Sequence, residues 1–136
     1  MLQPLEKTAT GCWNPTTSQT KSNLYACGTV AGAFDASFSS NTELEIYEHS
    51  VQHDHQAMQK LVSLSSPLRF CKLDWSIIPS HANYGLLAGG MEGGVVNVWN
   101  VDLLVGDRGQ SKESSSTAVH HSQKAHEGMV KGVSFN

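Results

Sequence analysis

The chain has 136 residues, about the size of one ordinary domain; 39% are hydrophobic and only 15% charged, against about 25% charged in a typical soluble domain. A net charge of −3 leaves no polycation to neutralise a phosphate backbone, which argues against nucleic acid as a partner. No apolar run approaches the ~18 residues of a membrane-spanning helix and Met1 to Thr10 lacks a signal-peptide h-region, so direct membrane insertion is not expected.

In chain order, the first predicted element is an inner strand over Thr8–Trp13, stopped by Asn14-Pro15. A middle strand follows over Asn23–Gly28, then a long connection over Val30–Thr42 carrying Phe34 and Phe38. The next strand, Glu43–Glu48, alternates: Leu44 and Ile46 share one face and Glu45 takes the other. A weaker strand is expected at about Met58–Leu64, and a second inner strand over Phe70–Trp75. A middle strand over Gly85–Gly89 leads into the turn Met91-Glu92-Gly93-Gly94. That glycine pair reads as a hairpin turn needing positive φ; no Gly-Lys-Ser/Thr follows to make a phosphate cradle. Val95–Trp99 then alternates as Leu44–Tyr47 does. Gly106–Gln123, with Ser111, Ser114, Ser115 and Ser116, reads as an outer loop, with a weak strand at about Thr117–His121. A third inner strand is expected to begin near Val130.

These elements repeat. Trp13 and Trp75 stand 62 positions apart, and Trp75 and Phe135 stand 60 apart. The middle strands repeat at the same spacing, Leu24 against Leu86. Each unit reads outer, inner, middle and next-to-outer strand, which is the sequential register of a WD-repeat with four strands to a blade. The expected fold is therefore all-β: a partial WD-repeat β-propeller of about two blades plus the first strand of the next. The expected limits are 8–48 for blade one, 58–101 for blade two, and 117–136 for the outer and inner strands of the third. Such a fragment leaves sheet faces uncovered, so Leu73, Trp75, Val96, Val98 and Trp99 should include positions lacking part of their partner surface. The stop at Asn136, just after an inner strand, is expected to be a truncation.

Trp99-Asn100 stands where the repeat's Trp-Asp signature belongs, and His126 takes the usual histidine position before an inner strand. Gly89 and Gly93 occupy the Ser/Thr and Asp positions, so the buried His–Ser/Thr–Asp–Trp tetrad is incomplete and blade cohesion should rest on apolar packing. Trp13, Trp75, Trp99 and His126 are the expected structural residues.

The stretch Tyr25–Glu48 carries a resemblance. Its Gly28-Thr29 strand end, Phe34-Asp35, Phe38-Ser39 and Leu44-Glu45-Ile46-Tyr47 resemble the first blade of the Sec-thirty-one family, the larger subunit of the COPII outer vesicle coat. Thr8–Pro15, Lys72–Trp75, Ala88–Gly90, Val105–Asp107 and His126–Val130 continue the likeness. The resemblance implies a non-catalytic scaffold of the coat cage in ER-to-Golgi transport. It also implies a cytoplasmic place at COPII-coated vesicle membranes and endoplasmic-reticulum exit sites, and the smaller WD-repeat subunit of the outer coat as partner. Phe34 and Phe38 are candidate interface anchors, set against folding back over a groove between blades.

Chemistry finds little footing. Three cysteines, Cys12, Cys27 and Cys71, form no CxxC pair, cannot all be paired, and fall on predicted strands as small buried residues. No N-glycosylation sequon is present, because Asn14 is followed by Pro15; both features favour a reducing, cytosolic setting. No GxSxG elbow occurs, so no catalytic residue is assigned. His53 and His55, and His120 and His121, lie in polar connections without cysteine neighbours, and no metal or cofactor is expected. The alternative function is a WD-repeat substrate adaptor, for example of a ubiquitin ligase; a propeller enzyme is a more distant rival.

Overall fold

The computed structural model describes residues 9–15, 23–29, 42–49, 58–77, 84–106 and 119–136. Eight strands form two four-stranded antiparallel sheets, each a simple meander. The first contains β1 (Ala9–Trp13), β2 (Asn23–Thr29), β3 (Glu43–His49) and β4 (Met58–Ser65) in that order. The second contains β5 (Phe70–Ser76), β6 (Leu86–Met91), β7 (Val95–Asn100) and β8 (Val119–Lys124). A short helix, α1 (Val101–Gly106), follows β7.

Register decides which residues face the other sheet. Cys12, Ala26, Ile46 and Val62 pair in line across the first sheet. Trp75, Leu87, Trp99 and Val119 do so across the second. These two faces meet, and Ile46, Leu87, Trp75 and Trp99 join Leu44, Leu73 and Phe70 in one core. Phe70 is fully buried at its centre. A Cβ built on Gly28 of β2 would stand 2.5 Å from the Phe70 ring, and one on Gly89 of β6 would stand 3.1 Å from it. Gly28 is thus required by close approach to that ring, while a Cβ on Gly89 would sit tight against Trp99 as well as Phe70; neither glycine has a backbone conformation that demands it. Trp99 closes the group, its ring centroid 5.9 Å from that of Phe70.

The turn after β6 is a single 3-10 turn, Glu92–Gly94, and both glycines have positive φ, 81° and 80°, as the hairpin reading requires. Matching irregularities occur in the two sheets. The ladder shifts between Ile46 and Tyr47 in the first and between Val98 and Trp99 in the second. A bulge there adds twist to each outer strand.

Three expectations change, and one element was not anticipated. Met58–Ser65, expected to open the second blade, pairs instead with β3 and completes the first sheet, just as Val119–Lys124 completes the second. The sequence unit and the hydrogen-bonded sheet are therefore one strand out of phase. The cause lies at Ser66: its N–H donates to the Thr42 carbonyl, and the chain then leaves the first sheet at Pro67, which has no N–H for a ladder. Second, no strand forms after Val130. Residues 125–136 run beside the second sheet, and Val130 donates to the Met91 carbonyl without any strand of its own sheet to pair with. The unanticipated element is Val101–Gly106, which is helical. Asn100 Oδ1 accepts from the Asp102 and Leu103 N–H groups at 3.1 and 3.4 Å, a side-chain N-cap, while Val101, Leu104 and Val105 turn into the core. Third, β8 lies at Val119–Lys124, two to three residues later than expected.

Of the five residues expected to be short of partner surface, Leu73, Trp75 and Trp99 are buried between the sheets, and Val96 and Val98 on the far face of β7 are half-buried.

The Phe70 seat generates a double-mutant prediction. Gly28→Ala alone should cost about 1–3 kcal/mol by overpacking, and most of that cost should vanish in a Phe70→Leu background. Thermal unfolding followed by circular dichroism checks it; additive losses would show that the glycine does not serve the ring.

Candidate interaction surface

A polar hub joins the two sheets at the end where β1 and β5 finish. The Tyr84 carbonyl accepts from the Trp75 indole N–H at 2.6 Å and from the Asn14 side-chain amide at 3.3 Å. The Tyr84 N–H in turn donates to the Asp102 carboxylate at 3.2 Å. Asn14, itself buried, holds its place through its backbone N–H to the Leu24 carbonyl. One carbonyl thus ties a residue of the first sheet's border, an inner-strand tryptophan and the first turn of α1 together. Sequence reading did not find Asn14, Tyr84 or Asp102 in this role. Tyr84 acts through its backbone, which leaves no side-chain signature; Asn100 before an apolar pair at Leu104 and Val105 was the legible sign of the helix.

The residues singled out from sequence fall in different places. Trp75 and Trp99 are each 5% exposed and lie on the same face. Trp13 is 52% exposed, its ring tilted against that of Tyr25 with centroids 4.9 Å apart. The His126 side chain is exposed, and its backbone N–H donates to the Gly94 carbonyl. Gly89 lies against Trp99 and Phe70, and Gly93 occupies the turn. Phe34 and Phe38, His53 and His55, and the side chain of His120 lie outside the described residues.

Between the sheets opens a cleft of about 180 Å³, lined at its floor by Leu44, Leu64, Phe70, Trp99 and Val119 and at its rim by Ser65, Ser66 and Asn97. On the other side of the first sheet, the Tyr47 hydroxyl donates to the buried Glu45 carboxylate at 2.5 Å, and Lys60 stands 3.6 Å from the same oxygen. No group of three or more His, Cys, Asp or Glu side chains among the described residues is placed to hold a metal ion. No helix among them is long and apolar enough to cross a membrane. Burial pushes the Cys12 thiol up to about 12, with the Asp74 carboxylate adding to the rise and Lys72 opposing it. Burial raises Cys71 and the Tyr25 hydroxyl as well.

Stacked four-stranded meanders with aromatic inner-strand ends are blades of a partial WD-repeat β-propeller. No family model matches the chain. Curated relatives do. "Protein transport protein SEC31" of Mycosarcoma maydis is 36% identical over 137 residues, 97% of this chain and 9% of that protein. The protein of the same name from Candida albicans is 34% identical over 99% of this chain and 10% of its own length. "Protein transport protein SEC31 homolog B" of Arabidopsis thaliana is 37% identical over 82% of this chain and 10% of its own length. The chain is a SEC31-type segment, and it spans about a tenth of the length of the curated relatives it matches.

Because the folded state keeps the Cys12 thiol neutral, its contribution to stability is whole below pH 9, the ordinary thiol value, and is lost as pH rises from there toward 12. Iodoacetamide should therefore modify Cys12 at pH 8 at least about a hundredfold more slowly than it does the unfolded chain. Mass spectrometry of the Cys12 peptide reads the rate; modification at the unfolded rate would contradict the buried, neutral thiol.

Proposed function

We propose that this segment is a scaffold element of a COPII outer coat, contributing to vesicle formation and ER-to-Golgi transport through protein–protein contacts and without catalysis. The observation that carries the reading is the likeness, along 97% of the chain, to a protein named for protein transport. The architecture supports it. Two sheets locked by an apolar core and a polar hub make a rigid body, and rigidity is what a cage component must supply. Cys12 and Cys71, the half-buried cysteines, have their thiols held neutral, the opposite of an activated nucleophile. On this reading the protein acts on the cytosolic side of the endoplasmic-reticulum membrane at exit sites, with the smaller WD-repeat subunit of the outer coat as partner.

A tagged full-length protein carrying this segment should co-purify with that smaller coat subunit and mark exit sites under the microscope. Exclusive nuclear localisation without coat partners, or stable recovery with a ubiquitin ligase instead, would replace this reading with the adaptor one.

A further inference from the structure

We draw no further inference here: the strongest candidate, the apolar cleft between the two sheets at Leu44, Leu64, Phe70, Trp99 and Val119, carries nothing because nothing among the described residues shows what covers it.

Discussion

The stacking of the two sheets depends on one side chain and two absences. Phe70 begins β5 and lies where Gly28 of one sheet and Gly89 of the other both come within reach of its ring. Sheets packed face to face ordinarily stand about 10 Å apart, with side chains filling the space. Here two backbones approach the ring closely because neither carries a Cβ. Complete burial of a phenylalanine is worth roughly 1.5–3 kcal/mol, a sizeable share of the ~5–15 kcal/mol that separates a folded domain from its unfolded chain. Trp99 then packs on Phe70, Leu44 and Leu87 fill the flanks, and the register of both meanders is set by keeping these side chains on the shared side.

Much of this was legible in the sequence because it is local. Alternation at Leu44/Ile46 and Val96/Val98 marks strands, and the recurrence of Trp13 at Trp75 marks the unit. What escaped was set by groups far apart in the chain. Whether Met58–Ser65 pairs backward with β3 or forward with β5 depends on Ser66 meeting Thr42 and on the sheet exit at Pro67, which periodicity does not record. After Val130 the expected strand makes no ladder among the described residues, and the Val130 N–H meets the Met91 carbonyl instead. Helix α1 was missed because its six residues hold barely one turn and a half; Asn100 read as a departure from a signature when its work is to cap the helix.

The Tyr84 hub is the polar counterpart of the apolar core. Gly89 and Gly93 carry no side chain that could hydrogen-bond, and the sheets take a polar tie through Trp75, Asn14 and Asp102 instead. A carbonyl that accepts two donors leaves no buried demand unmet, and no buried side-chain polar atom among the described residues lacks a partner. Apolar packing supplies most of the attraction between sheets, and the hub fixes their relative position at one end.

Helix α1 has a geometric consequence. It touches β7 of its own sheet and β4 of the other, whereas β1 and β5 run directly beside each other on the opposite flank. A helix about 10 Å across thus props the pair of sheets apart beside β4 and β7, and the pair becomes a wedge. Wedges laid in series generate curvature, and their angle sets how many fit into a full turn. The girth of Val101, Leu104 and Val105 is therefore a setting for curvature: thinning that side of the wedge alters the circumference of whatever such units build, even where each unit still folds.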